Sequence, residues 1–187
     1  MLKILSAPNS VLSQKAKRVI NITSEIKQLI LEMKETLANT NDPEGVGLAA
    51  PQVGKSLQIF IVQESPSSEV LVFINPELEL IKSTVKKRVK KGTKKSSGVK
   101  LEGCLSLPNI WGSVTRSSKV KVTYQDENGQ THQSNYSGFI STILQHEYDH
   151  LQGILFPKRV LEQKGVLYKS HKNAKNEDEF DEIQLPK

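Results

Sequence analysis

The sequence predicts a single domain in which antiparallel strands pack with helices. Two observations predict the strands: short segments rich in β-branched residues end at turn residues, and residues 126–129 read Asp-Glu-Asn-Gly, a typical hairpin turn. A third observation predicts the helices, because two other segments carry apolar residues at helical spacing. At 187 residues, the chain is long enough for one domain with a real core and too short for two comfortable ones.

The predicted strands are short and are bounded by Ser, Pro, Asn or Gly. They follow an extended start and a turn at residues 6–10, and they comprise 58–63, 70–75 with its continuation 77–81, 114–116, 119–124, 130–136 and 154–157. The connections within the first pair and across the 126–129 turn are short. We therefore expect antiparallel pairing in both places.

The first predicted helix covers residues 25–39. Its apolar residues Ile26, Ile30, Met33 and Leu37 recur at spacings of four, three and four, which is the pattern of an amphipathic helix. Ser24 precedes them and is a suitable cap residue.

The second predicted helix begins near Gly138 and ends at Gly153, which suits the position just after a helix. It carries the motif His-Glu-x-x-His at residues 146–150, and residues four apart share one helix face. One metal ion can therefore bind both imidazoles, while Glu147 lies close enough to exchange a proton with a water on that metal. The motif alone is equally compatible with two helical histidines that bind nothing.

Cys104 is the only cysteine in the chain. A lone cysteine is usually a small buried apolar residue. A two-histidine site, however, needs a third protein ligand and an open fourth position, and Cys104 is the only thiolate that can supply that ligand. The residue types therefore leave both interpretations open for Cys104.

Residues 45–54 are mostly small, and the run has one polar amide, Gln52, near its end. The glycine spacing is not that of a nucleotide-binding loop, and no Lys-Ser or Lys-Thr follows. Small side chains instead let the backbone approach another strand or a ligand closely. We therefore do not expect this run to bind a nucleotide phosphate.

The net charge of +6 is concentrated in one segment. Residues 82–100 hold nine Lys or Arg and no acid, which leaves 17 basic and 20 acidic residues, a net of −3, for the rest of the chain. This segment is interpreted as a solvated surface insertion; the alternative is electrostatic contact with RNA phosphates at a ribosome. It has no aromatic residue for base stacking.

Residues 161–187 form a polar tail that contains five acids within 177–182, and we expect it to be disordered or loosely docked. His171 in this tail and His132 in a polar strand are not expected to be ligands. With one cysteine, no apolar run of about 20 residues and no export signal pattern, the expected location is cytoplasmic, without a membrane.

Three motifs occur together in this order: Gly-Val-Gly-Leu-Ala-Ala-Pro-Gln at 45–52, Glu-Gly-Cys-Leu-Ser at 102–106, and Gln-His-Glu-Tyr-Asp-His at 145–150. In this combination the chain resembles the peptide deformylase family over about residues 1–160. The resemblance implies an α+β fold, with antiparallel sheets packed around a central metal-binding helix. It implies one catalytic metallohydrolase domain that removes the formyl group from formyl-methionine of nascent polypeptides and releases formate.

The resemblance also implies roles for particular residues. By similarity, Cys104, His146 and His150 bind one divalent metal, and Glu147 is the general base and then the acid. The family is typically most active with Fe²⁺, and Zn²⁺, Ni²⁺ or Co²⁺ also suit these ligands. The donors to the developing oxyanion are the side chain of Gln52 and the backbone N–H of Leu105.

For the substrate, the resemblance implies an apolar methionine pocket near Val46, Phe139 and Ile143. The backbone at Gly47 and Gly103 is expected to pair with the peptide main chain.

Three neighbouring side chains complete the expectations. Trp111 lies either on the rim of the pocket or in the core. Glu102 and Arg116 are hypothesised to form an ion pair that holds the Cys104 strand. The long basic segment before Leu101 departs from the common family pattern.

Two other functions are compatible with parts of the sequence. A His-Glu-x-x-His endopeptidase shares the helix, but its third ligand usually lies further along, where His171 is the one candidate histidine. An RNA- or ribosome-binding module with a structural metal would use the basic segment. That second alternative leaves Gln52 and Glu147 without a purpose.

Overall fold

The computed structural model describes residues 1–40, 45–65, 67–81, 101–173 and 177–184. Within these residues the chain forms two antiparallel sheets and three α-helices, so the predicted α+β class is confirmed. The basic segment 82–100 lies outside the described residues. The predictions made for that segment therefore stay predictions.

The first sheet has five strands in the spatial order β1-β2-β3-β6-β7. These strands are β1 (Gly47–Ala49), β2 (Ile59–Val62), β3 (Leu71–Leu80), β6 (Lys119–Gln125) and β7 (Thr131–Ser137). The turn between β6 and β7 is fixed by Asp126, whose Oδ1 accepts hydrogen bonds from the backbone N–H groups of Asn128 and Gln130. The hairpin predicted from 126–129 is confirmed.

The second sheet has four strands in the order β4-β5-β8-β9. These strands are β4 (Glu102–Cys104), β5 (Leu107–Gly112), β8 (Leu167–Lys172) and β9 (Asp178–Glu182). Strand β4, which carries Cys104, is an edge of this sheet, as β1 is of the other. Both edge strands border the cavity described below.

Helix α1 (Ser24–Ala38) and helix α2 (Phe139–Leu151) bury their apolar faces in the core. In α1, Ile30, Met33 and Leu37 pack with residues of β1 and β2. In α2, the apolar residues Ile143, Leu144 and Leu151 pack in a cluster with Phe60, Phe73, Val120 and Val122 of the first sheet. The predicted 25–39 helix is confirmed, although Thr23 rather than Ser24 occupies the N-cap.

Two predicted strands are wrong. Residues 114–116 have no regular structure, and the backbone N–H of Thr115 donates to the Gln163 side chain instead of to a strand. Residues 154–157 are not a strand because Phe156 begins α3 (Phe156–Glu162). Pro157 lies in the first turn of that helix, where a missing N–H costs no hydrogen bond.

Residues 161–187 were expected to be disordered or loosely docked, and disorder is wrong for the residues described. Strand β8 pairs with β5 and with β9, which makes a hairpin that extends the second sheet. Leu167 is buried in a cluster with Phe156 and Val160. A few apolar residues are enough here, because pairing with an existing strand satisfies the backbone.

Candidate active site

Helix α2 presents His146 and His150 toward strand β4. The two ring centroids lie 5.1 Å apart, as expected for histidines four residues apart on one helix face. The helix begins after Gly138 and ends before Gly153, whose φ of +70° is the left-handed conformation that terminates helices. The boundaries predicted for this helix are confirmed.

Strand β4 brings Cys104 to the two histidines. The Cys104 Sγ lies 3.2 Å from Nε2 of His150, and one ligand atom from each of the three residues lies within 4.8 Å of the others. Nδ1 of His146 faces the Glu102 carboxylate at 3.2 Å, which leaves the other ring nitrogen for an ion. A thiolate and two imidazoles are ligands that zinc and the late transition metals accept, so the residues fit a divalent metal.

Burial and neighbouring charges set the protonation of this group. Burial alone lowers the pKa of His146, but hydrogen bonds to Cys104 and Glu102 raise it well above the ordinary value. Burial, with the charges of His146 and Arg116, lowers the pKa of His150 well below the ordinary value. The lowered pKa of His150 favours its neutral form, which is the form that binds metals.

Glu147 is buried beside these ligands. Its Oε2 atom has no hydrogen-bond partner among the described residues, and burial raises the pKa of the carboxyl to about 7 despite the opposing charges of His146 and Arg116. A Cβ at Gly47 would overlap the Glu147 carboxylate. The small residue in β1 thus makes the room that this carboxylate occupies.

Gln52 lies in a short 3-10 turn, Ala50–Val53, that follows β1. Its Oε1 accepts a hydrogen bond of 2.8 Å from the backbone N–H of Ala49, so its Nε2 is oriented toward the site. Nε2 lies 3.2 Å from Oγ of Ser106 and 3.6 Å from Sγ of Cys104. The Gln52 amide therefore presents an N–H donor beside the Cys104 sulfur. Leu105 is the residue that follows Cys104 in the chain.

A chain of charged residues supports the His146 side of the site. Arg116 binds Glu102 through two hydrogen bonds of 2.9 and 3.0 Å, so the hypothesised ion pair is confirmed. Arg116 also donates to Asp149 at 2.6 Å, and Asp149 accepts from Arg159 at 2.7 Å. Glu102 thus holds His146 while Arg116 holds Glu102 in place.

A cavity of about 720 Å³ opens beside the three ligand residues. All five residues predicted to bind substrate line it, namely Val46, Gly47, Gly103, Phe139 and Ile143, together with Gln52, Leu105 and Glu147. Ile143 is buried, whereas Phe139 is 47% exposed at the mouth. The residues expected to bind the substrate therefore border one cavity, and the methionine pocket stays a prediction.

The sequence reasoning missed five lining residues, namely Gly45, Leu101, Val114, Gly138 and Thr142. Thr142 follows Phe139 by three positions and precedes His146 by four, so helical spacing alone could have identified it. Val114 had no such signal, because its segment was predicted to be a strand. Trp111 also lines the cavity and is partly exposed, which favours the rim over the core.

Comparisons with known proteins agree with this geometry. The family model for polypeptide deformylase matches residues 1–165. The chain belongs to the polypeptide deformylase family. Among relatives, the peptide deformylase of Picosynechococcus sp. is 36% identical over 178 residues, covering 87% of this chain and 85% of that protein. Peptide deformylase 1 of Bacillus cereus is 38% identical over 160 residues, covering 86% of this chain and 92% of that protein.

Solved structures of family members share the fold. The crystal structure of the Thermotoga maritima peptide deformylase has a TM-score of 0.71 at 34% identity and covers 85% of this chain and 97% of its own. That of Synechococcus elongatus, in complex with actinonin, has a TM-score of 0.70 at 35% identity, covering 84% and 78%. This chain is thus a deformylase-family hydrolase that removes the formyl group from N-terminal methionine.

Family membership supports the deformylase interpretation over the endopeptidase and the RNA-binding module. The family depends on a metal, and Cys104, His146 and His150 form a group that can hold one. Among the helices in the described ranges, none combines the length and the apolar character needed to cross a bilayer.

Proposed function

We propose that this chain deformylates formyl-methionyl peptides with Glu147 as general base and acid, beside one divalent ion held by Cys104, His146 and His150. The observation that carries the proposal is the Glu147 carboxylate: it is buried, has an oxygen without a partner in the described part of the chain, and borders the cavity next to the three ligands. A buried carboxylate in such a position needs a function, because desolvation without a partner is costly.

The bound ion would supply Lewis-acid chemistry. When bound, a divalent cation polarises a carbonyl oxygen and lowers the pKa of water from 15.7 to about 7. Ferrous iron is proposed for the active form on the strength of the family resemblance, and Zn²⁺, Ni²⁺ and Co²⁺ suit the same donors. The contact of His146 Nδ1 with Glu102 supports His146 as a metal ligand, since such contacts orient metal-binding imidazoles.

Glu147 moves the protons. A carboxyl with a pKa of about 7 is partly ionised at neutral pH, so Oε2 can accept a proton from the attacking water. The water oxygen bonds to the formyl carbon, and the C–N bond then breaks. Glu147 delivers its proton to the departing methionine amine, so formate and a free N-terminus are the products.

Gln52 and Leu105 are proposed to stabilise the negative oxygen of the tetrahedral intermediate. The Ala49 N–H holds Oε1 of Gln52, so the amide cannot rotate its donor away from the site without losing a buried hydrogen bond. The backbone N–H of Leu105 is the second proposed donor. Oriented donors of this kind contribute strongly because they need no rearrangement during the reaction.

The peptide is proposed to lie between the two edge strands, β1 and β4. Its backbone pairs with Gly47 and Gly103, and its methionine side chain enters the cavity between Val46, Phe139 and Ile143. The position of both strands at sheet edges supports this placement, because among the described residues each strand pairs with only one neighbouring strand.

The test is formate release from formyl-Met-Ala-Ser by protein reconstituted anaerobically with ferrous iron, with an unformylated protein as a peptidase control. Glu147→Gln should retain the metal and lose formate release. Gln52→Ala should retain the metal and lose about 10² to 10³ in kcat. Gln133→Ala, at an exposed position of β7, is the matched control and should be fully active.

Other outcomes would contradict these assignments. Loss of metal from Glu147→Gln would make Glu147 structural, and full activity of Gln52→Ala would remove it from the oxyanion site. Cleavage of the unformylated protein would favour an endopeptidase. Formate with intact chains supports the proposed reaction.

Two further proposals concern the cellular location of the protein and the basic segment 82–100. Nascent chains emerge in the cytoplasm of bacteria, so we propose that location. We also propose that the nine basic residues of 82–100 contact the ribosome transiently. Cosedimentation with ribosomes that weakens steeply with salt, and that neutral replacements in 82–100 abolish, would support it; salt-independent cosedimentation would contradict it.

A further inference from the structure

The hairpin of β8 and β9 contacts Trp111, and it lies beyond the residues matched by the family model, which end at 165. In the register of the second sheet, Trp111 of β5 pairs with Tyr168 of β8. The indole Nε1–H donates a hydrogen bond of 3.0 Å to Oγ of Ser170. The Phe180 ring of β9 packs edge-on against the indole, with centroids 6.0 Å apart and an interplanar angle of 83°.

The six-membered ring of the same indole covers Gly103. A Cβ built at Gly103 would lie 2.9 Å from Cζ3 and 3.0 Å from Cε3 of Trp111, so the six-membered ring occupies the space of a side chain at that position. Gly103 and Trp111 both line the cavity. The hairpin therefore holds an aromatic face directly over the strand that is proposed to pair with the peptide.

Alternation along β4 decides which substrate residue meets that face. Glu102 and Cys104 both reach the histidines of α2, whereas a Cβ on Gly103 between them would point at the Trp111 ring; the register with β5 shifts between Gly103 and Cys104. In a peptide added to the β4 edge, side chains alternate in the same way. If the methionine side chain points toward α2, the side chain of the next residue points toward Trp111.

We propose that Trp111 is a specificity-determining residue that favours an apolar or aromatic side chain at the second position of the formylated peptide. Ser170 and Phe180 are positioning residues, which act by fixing the indole. The inference rests on the proposed pairing of the peptide with β4. Its chemical basis is that an indole whose N–H is satisfied by Ser170 presents an apolar surface to the cavity that it lines.

The test compares kcat/KM for formyl-Met-Phe-Ser and formyl-Met-Gly-Ser, with formyl-methionine amide as the substrate that lacks a second residue. The wild type should prefer Phe over Gly by about two- to tenfold, the scale of one aromatic pair. Trp111→Leu should reduce that ratio to near one. Ser170→Ala and Phe180→Ala should lower the ratio and leave turnover of formyl-methionine amide unchanged.

Leu161→Ala is the matched control, because Leu161 is as exposed as Phe180, at 46% against 44%, and lies on α3. Its preference for Phe should equal that of the wild type. Trp111 is the one tryptophan of the chain, so intrinsic fluorescence reports on it directly. Phe180→Ala should shift the emission to longer wavelength, and Leu161→Ala should not.

A second readout is titration of the wild type with the product Met-Phe-Ser, which should change the tryptophan emission more than Met-Gly-Ser does. Equal kcat/KM for the two substrates in the wild type, or an unchanged preference in Trp111→Leu, would overturn the proposal. If no substrate releases formate, the proposed reaction itself has failed. The titration then decides the contact alone, and identical emission changes with both products would overturn it.

Discussion

Arg116→Met should destabilise the protein strongly, because it leaves the buried Glu102 carboxylate without its guanidinium partner and removes one of the two guanidinium groups that bind Asp149. The side chains of Arg116, Glu102 and Asp149 are 8%, 12% and 7% exposed, so water cannot replace the lost contacts. Removing one partner of a buried ion pair costs about 3–5 kcal/mol, chiefly from the uncompensated charge that remains. We expect a loss of free energy of unfolding in that range.

Arg159→Met provides the matched comparison on the same carboxylate. Arg159 also binds Asp149, but its side chain is 33% exposed and Asp149 keeps Arg116. Ion pairs at such positions contribute about 0–1 kcal/mol, since solvent screens them. The two variants remove the same side-chain type, so the difference in stability reports burial and the number of carboxylates left unpaired.

Equilibrium unfolding in urea at neutral pH, followed by the fluorescence of Trp111, measures both variants. Equal slopes with denaturant would show that the unfolded states are comparable. Adding Glu102→Gln to Arg116→Met should recover part of the loss, because the carboxylate that lost its guanidinium partner becomes neutral. A loss for Arg116→Met no larger than that for Arg159→Met would refute the assignment of the energy to buried carboxylates.

Two further predictions concern Gly47 and the metal. Gly47→Ala places a methyl group against the Glu147 carboxylate and should lower kcat about 10²-fold. Gly45→Ala should keep most activity, because its methyl group would meet only the flexible end of the Leu37 side chain. Equal kcat values for the two variants would contradict this packing. A divalent ion at about 100 times its dissociation constant should raise the free energy of unfolding of ion-free protein by about 2.7 kcal/mol. Cys104→Ser should weaken this metal-dependent gain in stability, and His171→Ala should not. Calorimetry with and without the metal measures both variants. The full gain in Cys104→Ser would exclude the Cys104 thiolate as a metal ligand.

The sequence predicted those parts of the site that depend on local periodicity. His146 and His150 share a face because of helix geometry, and the glycine-bounded ends of α2 were readable from residue types. The convergence of Cys104 on that helix rested on resemblance, since no local rule connects residues more than 40 positions apart. Long-range pairing of β4 beside α2 makes that contact.

The C-terminal hairpin was not predictable from its own residues. Strand β9 is acidic and wholly exposed, so no alternation of apolar residues indicates a strand. The hairpin forms because β5 offers a partner and Leu167 reaches the cluster around Phe156. The mistaken strand at 154–157 had the same origin: a short apolar run fits either a strand or the start of a helix.

The metal-binding cluster lies where strand β4, whose side chains repeat every two residues, meets helix α2, whose side chains share a face every four residues. Glu102 and Cys104 are two residues apart on a strand, and His146 and His150 are four apart on a helix, so each pair presents one face to the other. A shift of β4 by one residue would turn both Glu102 and Cys104 away from α2 and would bring Gly103 to the histidines. The bidentate contact of Arg116 with Glu102 opposes that shift, since a buried carboxylate that moved would lose two hydrogen bonds. The ion pair therefore fixes the register of the strand that supplies the thiolate.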